Sequence, residues 1–197
     1  MRIVGGRHRG RRLEAPAGLE VRPTADRTRE ALFNILDHGQ FAAAGGVSPL
    51  SGARVLDGFC GSGALGLEAL SRGAAHAAFM DTSATAVAAT RANAARLDEA
   101  ARTTVLRADP TRPPPAPAPA SIVLLDPPYG SGLAAPALAA LASAGWIARD
   151  ALCVVEVSAK EPFAPPDGFA ILDERRYGKA RLAFVRYGGG DERSRDA

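Results

Sequence analysis

Asp126, Pro127, Pro128 and Tyr129 follow directly on the apolar run SIVLL, and residues of these types in this order suit one kind of chemistry. Consecutive prolines hold the chain extended and remove two amide donors. The corner they leave offers acceptors: the Asp126 carboxylate and the Pro127 carbonyl. An aromatic amine fits it, because such a nitrogen has two N–H groups to donate and a lone pair otherwise delocalised into its ring. When both hydrogens are accepted, electron density localises on nitrogen, which can attack an electrophilic methyl group in line. Positioning and electrostatics carry that reaction, and Asp126, or water beside it, takes the released proton. Tyr129 supplies a flat face for a base that has left its neighbours. The structural alternative is a Pro-Pro turn with a surface tyrosine.

The second run is GFCGSGALG after Asp57, where Gly61, Gly63 and Gly66 satisfy G-x-G-x-x-G ahead of a helical segment. That spacing suits a dinucleotide whose pyrophosphate approaches the backbone at a helix N-terminus, with Asp81 at the end of the next strand for a ribose hydroxyl. Asp57 argues against a pyrophosphate, since like charges at the mouth of the loop are costly. S-adenosylmethionine carries a sulfonium and an ammonium and no phosphate, so the same carboxylate helps to hold it, directly or through water. The candidate cofactor residues are Asp57, Phe59, Gly61, Ser62, Gly63, Asp81, Thr82 and Asp109. Asp81 would accept from both ribose hydroxyls, and Asp109 would reach the adenine amine. Asp57 capping its own turn and Asp109 starting one are the alternatives.

Both runs have to sit at strand ends to act together. Short apolar runs alternate with helical segments: strand ARVLD, helix ALGLEALSRG, strand AAFMD, a helix from about Ser83 to Leu97, strand TTVLRA, strand SIVLLD, a helix over Leu133 to Ala144 and strand ALCVVEV. This alternation predicts an α/β, Rossmann-like fold with right-handed crossovers and a mostly parallel seven-stranded sheet. Ligands bind beyond the carboxyl ends of such strands. Runs from about Ala170 to Tyr177 and Arg181 to Tyr187 predict an antiparallel hairpin at the sheet edge. At the start, MRIVGG and RGRRLEAP read as the two short strands of a hairpin, and Thr24 as the cap of a helix over ADRTREALFNILDHG. The expected organisation is a hairpin and helix extension over 1–52, a cofactor-binding domain over 53–187 and a tail over 188–197. The run PTRPPPAPAPA predicts a stiff, exposed polyproline loop without chemistry.

Hydrophobic residues at 47% and charged residues at 23% give the balance of a soluble globular chain. No run approaches the length of a membrane-spanning helix, and the opening residues lack the apolar core of a secretory signal, so a cytoplasmic protein is expected. Cys60 and Cys153 have neither zinc nor redox spacing, and no metal is expected. The net charge of +3 is unevenly placed: Arg2, Arg7, Arg9, Arg11, Arg12, Arg22, Arg27 and Arg29 crowd the first 30 residues. Arginine suits phosphate, and these residues are the candidate RNA contacts.

Several blocks together, MRIVGGRHRGRRLEAP, VRPTADRTREALFNIL, GSGALGLEALSRGA, DPPY and YGKARLAFVR, resemble the bacterial 16S ribosomal RNA guanine-N2 methyltransferase family of the RsmD type. The likeness runs to about Tyr187. It implies a monomeric Rossmann-like enzyme that uses S-adenosylmethionine to methylate the N2 amine of one guanine in 16S ribosomal RNA, within an assembled or partly assembled small subunit. It implies that Asp126 to Tyr129 form the target-base site, that Asp57, the Gly61 to Gly63 turn and Asp81 hold the cofactor, and that the basic hairpin meets RNA. The chain departs from the pattern in reading Asp57-Gly58-Phe59-Cys60 where Asp-Leu-Phe-Ala is expected, and in its proline-rich insert. Three other functions share parts of the pattern. An adenine-N6 DNA methyltransferase would use the same acceptors, a nicotinamide oxidoreductase would need the glycine loop alone, and an RNA-binding assembly factor would use the hairpin without chemistry.

Overall fold

Five runs rich in Val, Leu, Ile and Ala form the parallel part of one seven-stranded sheet: β1 (Arg54–Gly58), β2 (His76–Asp81), β3 (Thr103–Arg107), β4 (Ala120–Leu125) and β5 (Ile147–Ser158). Strands covered on both faces have to be apolar on both. β6 (Phe169–Tyr177) and β7 (Ala180–Tyr187) complete the sheet as the antiparallel edge hairpin that the sequence predicts, and the strand order is β3-β2-β1-β4-β5-β7-β6. The order reverses between β1 and β4, so the crevice beyond their carboxyl ends is where a ligand belongs. The computed structural model describes residues 1–16, 23–41 and 46–189. Arg22, part of the 40–52 connector and the tail from residue 190 lie outside them.

Helices α1 (Pro23–His38), α2 (Ala64–Ser71) and α3 (Ala84–Arg96) belong to one face of the sheet and α4 (Ala134–Ser143) to the other. Ile3 and Leu13 of the N-terminal segment join Phe33, Leu36, Leu67 and Leu70 in the first core cluster, whereas Leu138, Leu141 and Trp146 anchor the second. The Ser83 hydroxyl caps α3, accepting from the Ala86 N–H at 3.3 Å. No helix among the described residues is long and apolar enough to cross a membrane.

Four details differ from the sequence reading. The two N-terminal strands reduce to a single bridge, Arg2 to Arg12, around a 3-10 turn at Gly6–His8. Pairing persists around that bridge, with the Ile3 N–H donating to the Arg11 carbonyl at 2.9 Å and the Leu13 N–H to the Met1 carbonyl at 3.1 Å, and it goes no further because the amides of Val4 and Gly5 donate to the Glu68 carboxylate instead, at 2.8 and 2.7 Å. Helix α1 begins at Pro23, placing Thr24 inside it rather than before it; proline suits the first turn, where its missing N–H costs nothing. β5 starts at Ile147, well before the predicted Ala151, because Ile147 pairs with Ala120 ahead of a register shift that Asp150 accommodates at φ 62°. The proline-rich loop joins β3 to β4 without a helix and is tied down. Trp146 Nε1 donates to the Pro114 carbonyl at 2.7 Å, and the Ala116 N–H to the Ala144 carbonyl at 2.9 Å.

Candidate active site

Asp57 is the penultimate residue of β1 and is 1% exposed. Its Oδ2 accepts from the Gly66 N–H at 2.8 Å, fastening the first turn of α2 to the strand. Burial pushes the Asp57 carboxyl well above its ordinary range; the Gly66 bond opposes the rise, and the charges of Asp126 and Asp81 add to it. Asp81 ties the loop to the start of α3: Oδ2 accepts from the Gly61 N–H at 3.0 Å and Oδ1 from the Ser83 N–H at 2.8 Å. Gly61 has φ 54° and nothing within 4 Å of the position a Cβ would take, so its backbone borders open space that a ligand could fill. At Gly58 a Cβ would lie 2.5 Å from Leu125 Cδ2, so Leu125 fills the space that the expected leucine would need.

Of the other candidates, Ser62 and Gly63 are buried, Phe59 is half-buried at φ 61°, and Thr82 is exposed on the rim. Asp109 starts a turn. Its Oδ1 accepts from both the N–H and the hydroxyl of Thr111, each at 2.8 Å.

Across the crevice, Asp126 leaves β4 exposed while Pro127 is buried. Tyr129 is 39% exposed, and its hydroxyl donates to Glu156 Oε1 at 2.6 Å. Glu161, in the loop after β5, accepts from the amides of Gly130 at 2.8 Å and Gly132 at 3.3 Å, which clamps the turn. Burial raises the proton affinity of Glu156, and the Tyr129 bond lowers it. Carboxylates thus stand along one edge of four neighbouring strands: Asp81 ending β2, Asp57 near the end of β1, Asp126 after β4 and, level with it, Glu156 within β5.

The arginines divide. Arg2, Arg9, Arg12 and Arg27 are exposed, and Arg11 is exposed while donating to the Arg96 carbonyl at 2.7 Å. Arg7 pairs with the buried Glu99, which also meets His8 at 2.6 Å and Arg102. Arg29 is a correction to the sequence reading: it is 4% exposed and donates to the Arg2 carbonyl at 2.7 Å, so its guanidinium fastens the N-terminal segment from inside rather than facing a polyanion.

Residues 1–186 match the family described as Conserved hypothetical protein 95. The chain belongs to that family. It is 38% identical over 163 residues to Ribosomal RNA small subunit methyltransferase D of Escherichia coli strain K12, covering 79% of this chain and 74% of that one. It is 32% identical over 182 residues to the protein of the same name from Haemophilus influenzae, covering 90% and 89%. The solved Escherichia coli structure described as "Putative methyltransferase yhhF" superposes with a TM-score of 0.77 at 33% identity, covering 96% of this chain and 99% of that one. These relatives and the sheet order bear out the Rossmann-like methyltransferase fold.

In this member of the Conserved hypothetical protein 95 family, the residues that sequence reasoning missed are buried polar ones. Glu68, fully buried, accepts from Val4, Gly5 and Arg72 Nε, the last at 2.8 Å. Asn93 accepts from the Glu14 N–H and donates to the carbonyls of Glu14 and Ser62, all at 2.9 Å, so it joins the N-terminal segment to the glycine loop. The Ser62 hydroxyl adds a contact to Met1 Sδ at 3.2 Å. A signal for Glu68 was present. Its helix, ALGLEALS, is apolar on nearly every side, so a glutamate within it has to be buried and therefore paired.

Proposed function

We propose that the protein uses S-adenosylmethionine to methylate the N2 amine of a guanine in 16S ribosomal RNA, acting as a cytoplasmic monomer on the assembling small subunit. The observation that carries this reading is the row of carboxylates at the ends of adjacent strands, bracketed by the open Gly61 backbone and the donor-free Pro127-Pro128 corner. Carboxylates gathered around one crevice repel one another unless cations or N–H donors meet them. The residues fit this cofactor: Asp81 keeps acceptor capacity beside its two amide bonds for ribose hydroxyls, and Asp57 stands by for positive charge. S-adenosylmethionine, when bound, supplies an electrophilic methyl group.

Asp126 and the Pro127 carbonyl accept the two hydrogens of the target amine, which turns its lone pair toward the crevice, and Asp126 takes the proton that is released. Tyr129 offers its ring to the extruded base, and Glu161 keeps the turn from opening by holding Gly130 and Gly132. Ribosomal RNA of the small subunit is the substrate that the names of the curated relatives suggest. Arg2, Arg9, Arg11, Arg12 and Arg27 meet its phosphates from the exposed side of the hairpin and α1. Asp109, committed to its turn, has the weakest claim among the cofactor residues.

Purified protein, labelled S-adenosylmethionine and small subunits from a strain lacking this methylation test the reading, with plasmid DNA as the competing substrate. Label in guanine of the 16S RNA is expected. Label in adenine, or in DNA alone, would overturn it, and calorimetry showing tight NAD binding with none of S-adenosylmethionine would remove the cofactor assignment.

A further inference from the structure

The last paired residues of β4 and β5 are Leu125 and Val155. Asp126 and Glu156 follow them, so the two carboxylates stand at the same level on neighbouring strands, about 4.8 Å apart in backbone spacing. Glu156 is half-buried, and the Tyr129 hydroxyl fixes it through Oε1 at 2.6 Å. The acceptor corner therefore has three members rather than two: the Asp126 carboxylate, the Pro127 carbonyl and Glu156 Oε2. Nothing in the methyl transfer itself requires the third.

We infer that Glu156 selects the base, accepting the N1–H of guanine while Asp126 and the Pro127 carbonyl hold the N2 amine. This rests on the guanine reading above and deepens it. The hydrogen-bonding edge of guanine carries an N1–H beside its NH2 group, making three hydrogens to donate. Adenine carries its NH2 beside an N1 lone pair. A row of three acceptors completes the first pattern, whereas the second sets a lone pair against a carboxylate. A site built to receive a donor discriminates strongly against an analogue that lacks it, because its own polar group is then left without a partner in a partly dry place. The tether to Tyr129 aligns the two surfaces that a base presents: the ring receives its face and the carboxylate its edge.

The discriminating substrate is 2-aminopurine, which keeps the N2 amine and lacks the N1–H. Small subunits are reconstituted with RNA carrying guanine or 2-aminopurine at the methylated position, and kcat/KM is measured for the wild type, Glu156→Gln and Glu156→Asp. The wild type is expected to prefer guanine by about 100-fold. Glu156→Gln, whose amide can donate to N1, is expected to lose about 100-fold on guanine and to bring the two substrates within about 10-fold of each other, with cofactor affinity unchanged. Glu156→Asp, a carboxylate on a shorter arm, should recover part of the preference. A wild type that methylates both bases equally overturns the assignment without any variant, so it stays falsifiable even where Glu156→Gln fails to fold. Guanine methylation that Glu156→Gln leaves intact overturns it alone; label in adenine overturns both it and the guanine reading.

Discussion

Asp126 and Asp57 are both carboxylates of the crevice, yet their surroundings set different expectations. On the proposed mechanism Asp126→Ala removes an acceptor of the target amine and leaves the proposed cofactor residues in place, so cofactor affinity should hold while turnover falls by about 100-fold or more; calorimetry beside single-turnover kinetics would separate the two. Asp57 is a matter of protonation. Its folded pKa is raised above the ordinary 3.8, chiefly by burial, so the folded state holds the proton more tightly than the unfolded one. The fold keeps that contribution below pH 3.8 and loses it progressively as pH rises through the window from 3.8 to the raised value. Asp57→Asn retains an acceptor for Gly66 without a charge. Unfolding midpoints followed from pH 4 upward should therefore decline less in this variant than in the wild type. With Asp57 in its proposed cofactor role, cofactor affinity should run the other way, strengthening with pH as Asp57 ionises, and Asp57→Asn should flatten that dependence.

At the scale of elements, α2 carries a buried glutamate that organises what lies before it. Glu68→Ala would strip the amides of Val4 and Gly5 of their acceptor and leave the guanidinium of Arg72 with less to balance it. Breaking a buried ion pair by removing one partner costs about 3 to 5 kcal/mol, so urea unfolding should show a loss of that order, with the N-terminal segment loosened first in hydrogen exchange. The strands, their parallel sense and the edge hairpin were legible because each apolar run is short and bounded by turn residues. Asp57, Asp81 and Asp126 were legible for a related reason: each closes an apolar run, which is where a parallel sheet presents ligands. Glu156 was hidden because β5 continues past it to Ser158, so it looked like one more outward residue of an alternating strand. Arg29 was misread from its charge, although it stands four residues before Phe33 and seven before Leu36, on the buried stripe of α1. The early end of the hairpin ladder could not be foreseen, since the carboxylate that takes the amides of Val4 and Gly5 lies more than 60 residues away in sequence.

Across the whole molecule, basic and acidic groups are separate: the rim is the exposed arginines of the N-terminal segment and α1, and the floor the strand-end carboxylates. Replacing Arg9 and Arg12 together by alanine should weaken binding to small subunits and reduce the slope of log K against log salt by roughly 0.7 to 0.9 for each phosphate that is no longer neutralised. Arg29→Ala should leave that slope alone and lower the unfolding midpoint instead; a changed slope would return Arg29 to the interface. Asn93 links the rim to the floor, because the same amide side chain holds Glu14 and the Ser62 carbonyl of the glycine loop. On the function proposed above, the acidic strand ends also orient an entering nucleotide. Asp81 and Asp126, the strand-end carboxylates open to solvent, repel a sugar-phosphate chain, so in that proposal the polymer stays with the exposed arginines while a single heterocycle, the uncharged half of the nucleotide, enters between Gly61 and Tyr129. Such a crevice would admit a nucleotide base-first, and a free phosphate group would be turned away by the same charges that welcome an amine.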